Sequence, residues 1–153
     1  MKLNEFLRGK NGDITDIEKE KIKTIQNAIS RYTLTENINV FRFDSGAFVG
    51  LDFNNKDFDT IKNTLISMKN KTIDAKSFIS TSTSLWGKDL GNVLYSIKIP
   101  KNNNAGSYIG KISRFRNERE FLIKHSSKFR IGEVTEKTVF GKKFNCVEIL
   151  YLE

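Results

Sequence analysis

Between Thr15 and Tyr32 the apolar residues Ile22, Ile25, Ile29 and Tyr32 recur at the three- and four-residue spacing of one helix face. Thr15 and Glu18 form a Thr-x-x-Glu capping signature at its start. Phe58, Ile61, Leu65 and Met68 repeat that spacing and predict a second helix. Leu3 to Leu7 is a short segment with helical character of its own, set apart by Asn11-Gly12-Asp13. Between the two long helices, Ile38 to Phe43 is dense in β-branched and aromatic residues and predicts a strand, with turns around Gly46 and Gly50.

The period then changes from that of a helix to that of a strand. Val93, Tyr95, Ile97 and Ile99 alternate with Leu94, Ser96 and Lys98 until Pro100 stops the run. Phe78 to Ser80 reads as a short strand entering a Ser/Thr-rich turn. Further strands are expected at residues 108–112, 120–123, 129–134 and 146–152. Helices first and strands later predict an α+β domain with mostly antiparallel sheets, not a doubly wound fold. No linker or repeat divides the chain, so residues 1–153 are expected to form one domain.

Composition narrows the chemistry. Hydrophobic residues make up 38% and charged residues 29%, the balance of a soluble globular domain. No apolar run approaches the ~18 residues of a membrane span, and Met1 to Lys10 lack a secretory signal, so membrane insertion by this chain is not expected. One cysteine, Cys146, and one histidine, His125, exclude an internal disulfide framework and any multi-histidine or cysteine-rich zinc site. A net charge of +8 favours anionic partners, from nucleic acid to a phosphate-rich cofactor. There is no Gly-x-Gly-x-x-Gly after a strand and no Walker loop to cradle such a phosphate.

Three places strain a purely structural reading. Arg42 shares a strand face with Ile38 and Val40, while Phe41 and Phe43 cover the other face. It is either an edge arginine reaching for water or a fork of donors aimed at a phosphate or carboxylate. Ser80-Thr81-Ser82 follows Phe78; such hydroxyls either fix a turn or orient a carboxylate. Glu118 and Glu120 are two apart on a strand, so both face one side. They are either a solvated edge or an acid/base and cation-stabilising pair.

Together and in this order, Arg42, Ser80-Thr81-Ser82 and Glu118-Arg119-Glu120 resemble the arginine-specific mono-ADP-ribosyltransferases of bacterial toxins, of the iota-type binary toxin enzymatic components. Asn4 to Arg8, Gly106-Ser107-Tyr108-Ile109 and Ser127 to Ile131 are similar to flanking segments of that family, so the likeness spans nearly the whole chain. The chain departs from it at Phe43, where relatives often carry a second arginine. Ala47-Phe48 replaces a glutamine–glutamate pair, and Ser77 replaces an asparagine.

The resemblance implies an ADP-ribosyltransferase fold: two mostly antiparallel sheets packed as a sandwich around an NAD cleft, with helices concentrated in the N-terminal half. It implies NAD as co-substrate and no metal. Arg42 would grip a cofactor phosphate, with Phe43, Ser77, Phe78, Thr81 and Ser82 also at the cofactor. Ser80 would hold Glu120, whose carboxylate stabilises the positive charge that develops on the ribose as nicotinamide leaves. Glu118 would orient an acceptor arginine and take its proton, and Phe115 and Arg116 would lie on the loop that meets the target protein. The resemblance further implies side NAD hydrolysis, an actin-like protein among the candidate targets, and a delivery component or an immunity protein as further partners. The enzyme would be secreted or injected and act in the target-cell cytoplasm. The late start of the chain suggests that an upstream helix or delivery region is missing. Set against this, the positive charge alone predicts a basic nucleic-acid-binding module, or the same enzyme with a nucleic-acid acceptor; no Lys/Arg stripe interleaved with aromatics supports it.

Overall fold

The helix expected from the Ile22–Ile29 spacing is α1, Asp16–Ser30. The computed structural model describes residues 16–85, 91–108 and 120–153, so the Thr15 cap and the segment Leu3 to Leu7 lie outside the described residues. Asp16 and Glu18 in the first turn oppose the positive end of the α1 dipole. Ile25 and Ile29 turn inward and pack on Phe78 and Leu122. At the other end, the Asn104 side-chain amide donates to the carbonyls of Ser30 at 3.0 Å and Tyr32 at 2.8 Å, which a helix terminus otherwise leaves open. The second helix, α2, is Phe58–Ser67. Its N-cap is Asp57, whose carboxylate accepts from the Thr60 N–H at 2.6 Å. That bond holds the Asp57 carboxyl below its ordinary range.

Among the described residues eight strands follow or interleave: β1 Ile38–Asp44, β2 Thr72–Ala75, β3 Ile79–Ser82, β4 Val93–Ile99, β5 Gly106–Tyr108, β6 Glu120–Ile123, β7 Ser127–Val139 and β8 Lys142–Tyr151. Their order across the sheet is β2-β7-β8-β4-β1-β3-β6-β5. All pairings between them are antiparallel except β4 with β8. The α+β layout with its helices in the N-terminal half is therefore as expected. The two sheets expected from the sequence are joined. The five-strand part ending in β1 and the three-strand part β3-β6-β5 meet at a single register pair, Phe41↔Ser82. Both parts feed one core, in which Val40, Tyr95 and Val147 of the larger meet Ile79, Phe121 and Ile123 of the smaller.

Two features of this sheet lay beyond the hydrophobic pattern. The strands β7 and β8 run further than expected because Phe140 and Gly141, at φ 49° and 81°, make a tight turn whose twist matches the strands. Their outer arms are solvated, so no apolar alternation marks them. The edge strand β2 went unread because only Ile73 and Ala75 turn partly inward.

Beyond β1 the backbone reverses sharply. A single turn of 3-10 helix, Ala47–Val49, lies between Gly46 at φ 105° and Gly50 at φ 76°. A Cβ on Gly46 would sit 2.8 Å from the Leu51 carbonyl oxygen, so only glycine fits. The turn drives Phe48 into the core, with ring centroids 5.0 Å from Tyr95 and 5.2 Å from Phe129. It also defines where β1 ends, and Arg42 stands two residues before that end.

Candidate functional site

Arg42 is positioned by β1, whose register places it opposite Tyr95 of β4. Its side chain is 14% exposed, which settles the choice left open by the sequence: it does not reach out to water. Nε donates to Asp44 Oδ2 at 3.2 Å, and Nη1 donates to the Ser80 carbonyl oxygen at 3.1 Å. Those contacts engage two of the five N–H donors of the guanidinium. The remaining donors have no partner among the described residues, and a planar fork with free N–H groups is the geometry that grips phosphate.

Asp44 is the neighbour of Arg42 that the sequence reading missed. Its Oδ1 accepts from the Tyr95 hydroxyl at 2.8 Å and from the Gly46 N–H at 2.8 Å. Its Oδ2 accepts from the Phe48 N–H at 3.0 Å as well as from Arg42. Tyr95 is fully buried, and burial, reinforced by the Asp44 charge, pushes its hydroxyl pKa far up. It therefore stays a donor at any ordinary pH. An Arg-x-Asp spacing on a strand, which places both side chains on one face, is the signal that would have found this pair.

The hydroxyl run sits on β3, between β1 and β6. Ser82 is opposite Glu120 and Ser80 is opposite Leu122 across β3–β6, so Ser80, Ser82 and Glu120 share one face of the pleat. Thr81 points the other way, and its hydroxyl donates to the Phe121 carbonyl oxygen at 2.7 Å, tying the two strands together. The Ser82 hydroxyl accepts from the Ser84 N–H at 3.3 Å and shapes the turn that follows. Glu120 is partly buried at the start of β6. The face is closed at its Phe78–Leu122 end by Ile25 and Ile29 of α1, and His125 stands edge-on to Phe78 at 5.0 Å.

A cavity of about 610 Å³ opens beside Arg42. Arg42, Phe48, Gly50, Ile73, Ser77 and Phe78 form part of its wall, and Lys71 and Lys76 add positive charge. Its size is within the range of small-molecule and cofactor sites. Neither Ser80 nor Glu120 belongs to the wall; Arg42 connects the two regions, since it lines the cavity and bonds to Ser80. The wall thus combines three cationic side chains, Arg42, Lys71 and Lys76, with the Asp74 carboxylate and apolar surface from Phe48 and Ile73.

The other expected residues fall into place unevenly. Ser77 and Phe78 line the cavity, although Phe78 is 5% exposed and mostly engaged with α1. Phe43 does not line it. Its ring is buried among Leu94, Val139 and Cys146, edge-on to Phe144 at 5.1 Å, because alternation along β1 turns it away from Arg42. Ala47 and Phe48 leave only an apolar surface at the two positions that are glutamine and glutamate in the resembling family. Glu118, Phe115 and Arg116 lie outside the described residues.

Comparison with known proteins bears on the family and the fold. The family model for ADP-ribosyltransferase exoenzyme matches residues 1–152. A mono-ADP-ribosyltransferase C3 of Clostridium botulinum C phage is 28% identical over 144 residues, covering 87% of this chain and 59% of its own length. A mono-ADP-ribosyltransferase C3 of Hathewaya limosa is 30% identical over 136 residues, covering 81% of this chain and 52% of its own length. The chain thus spans a little over half the length of these curated relatives. Among solved structures, Plx2a, an ADP-ribosyltransferase toxin from Paenibacillus larvae, superposes with a TM-score of 0.81 at 22% identity, over 99% of this chain and 79% of its own. BECa, an ADP-ribosylating toxin of a binary enterotoxin of C. perfringens solved with NADH, gives 0.77 at 23% identity, over 98% of this chain and 39% of its own. These two likenesses establish the fold. With the family model running nearly end to end, the chain belongs to the ADP-ribosyltransferase exoenzyme family.

Proposed function

We propose that this chain is the catalytic domain of a mono-ADP-ribosyltransferase toxin, which cleaves the nicotinamide–ribose bond of NAD and passes ADP-ribose to an arginine of a target protein. The observation that carries the reading is the contact between the Arg42 guanidinium and the Ser80 carbonyl, with Glu120 on the next strand across from Ser82. Arg42, Ser80 and Glu120, far apart in the chain, lie on the neighbouring strands β1, β3 and β6, which span about 10 Å by strand spacing.

In this reading the free N–H groups of Arg42 hold a diphosphate oxygen and fix the dinucleotide along the cavity. Ser77 and Phe78 line the same cavity, and Ser82 shapes the turn that follows β3. NAD supplies a glycosidic bond whose cleavage leaves positive charge on the ribose. Glu120, oriented from the Ser80 face, places a carboxylate against that charge. Glu118 takes the proton of the incoming guanidinium, which at a pKa above ~12 is otherwise a poor nucleophile. Phe115 and Arg116 meet the target protein, for which an actin-like protein is one candidate. In the absence of an acceptor the same chemistry hydrolyses NAD. The toxin reaches its target after secretion or injection and works in the target-cell cytoplasm.

Transfer of labelled ADP-ribose from NAD to a small guanidine tests the acceptor. Wild type is expected to label it, and Glu118→Gln to lose that transfer while keeping NAD cleavage. Full transfer by Glu118→Gln rejects the role of Glu118.

A further inference from the structure

Asp44 is a carboxylate with four donors on its oxygens and 11% side-chain exposure. Two of these donors, the Gly46 and Phe48 N–H groups, belong to the turn that follows β1, an ordinary task for an aspartate. The other two do not. The Tyr95 hydroxyl comes from β4, and the Arg42 Nε comes from the residue whose guanidinium faces the cavity. A carboxylate has about four lone-pair sites, so every one is engaged and the side chain has no alternative pose.

The consequence for Arg42 is geometric. With Nε fixed on Asp44 and Nη1 fixed on the Ser80 carbonyl, the guanidinium plane is set from two sides, and its remaining N–H groups are aimed rather than free to wander. A long arginine side chain loses rotamer entropy on binding, and a pre-set fork loses less of it.

We propose that Asp44, held by Tyr95, is a positioning residue that presets the Arg42 fork for the dinucleotide diphosphate. This rests on the reading of Arg42 as the cofactor-phosphate residue. Asp44 touches no substrate and acts only through Arg42. That separates it from a residue that merely holds the turn, because its effect on cofactor binding disappears once the arginine is gone.

The test is a double-mutant cycle on affinity for a non-cleavable carbocyclic analogue of NAD, measured by calorimetry with melting curves alongside. Asp44→Asn keeps the shape and removes the charge, and is expected to weaken binding about ten-fold, with Tyr95→Phe weakening it about three-fold. In the Arg42→Gln background each change is expected to alter affinity less than about two-fold, because the group they position is absent. If Asp44→Asn lacks a cooperative melt, Tyr95→Phe alone decides the question in both backgrounds. Affinity unchanged in the arginine background, or lost equally in both, overturns the positioning role. Failure of the wild type itself to bind the analogue rejects the cofactor reading beneath it.

Discussion

The Thr81 hydroxyl donates to the Phe121 carbonyl oxygen at 2.7 Å, a side-chain bond that fixes β3 to β6 at the pair lying between Ser80↔Leu122 and Ser82↔Glu120. Thr81 is 3% exposed, so the bond is shielded from water. Thr81→Val keeps the shape and removes the donor. It is expected to cost about 1–2 kcal/mol, lowering Tm by roughly 3–6 °C for a domain of this size. Nicotinamide release should fall with it, since the register that sets Ser82 opposite Glu120 loses its clamp. An unchanged melting curve would show that the backbone ladder alone holds the strands.

Gly91, just before β4, lies against the end of β1. A Cβ there would sit 2.0 Å from the Asp44 carbonyl carbon and 2.4 Å from its Cα, a contact no side-chain motion can relieve. Gly91→Ala must push β1 and β4 apart at the point where Asp44 pairs with Val93. Urea denaturation should register a loss of about 1–3 kcal/mol or more, together with weakened NAD binding. A stable variant with native affinity would contradict the close approach.

Phe43 occupies a position where related toxins often have a second arginine, and the structure explains why this chain does without it. The ring is 4% exposed and packed on Phe144. Phe43→Arg therefore does not restore a cofactor contact but buries an unpaired charge, which is expected to cost about 3–5 kcal/mol and to leave much of the protein insoluble. A well-folded Phe43→Arg with tighter NAD binding would mean that β1 can turn this side chain toward the cavity.

Tyr95 gives the protein a signature at high pH. Its folded pKa is raised above the ordinary value of 10.0 by burial and then by the Asp44 charge. Above pH 10 the unfolded chain releases this proton while the folded chain keeps it, so the unfolded state binds fewer protons and stability falls as pH rises. Tm should decline between about pH 9 and 11 more steeply in wild type than in Tyr95→Phe. Parallel slopes would remove Tyr95 as the cause.

The sequence was most informative where period and burial coincide. Ile25 and Ile29 marked the inner face of α1, Ile61 and Leu65 that of α2, and the alternation through Tyr95 and Ile97 marked β4. It was least informative at solvated structure: β2 and the outer arms of β7 and β8 have few inward apolar side chains, and only their backbone bonds define them. At the site, order along the chain brought Arg42, Ser80 and Glu120 to notice because each strained a structural reading. Asp44 escaped because an aspartate followed by Ser45-Gly46 reads as an ordinary turn residue. Its second task depends on Tyr95, 51 residues away, which no local pattern reveals.

In the proposed reaction Glu120 stands against the sugar whose bond to nicotinamide is breaking. Nicotinamide released from NAD by purified wild type and by Glu120→Gln, with Arg42 intact in both, measures it directly. The substitution keeps the size and one acceptor oxygen and removes the charge, so release is expected to drop by about 10²-fold or more with NAD affinity little changed. Equal release by the two proteins would contradict the account.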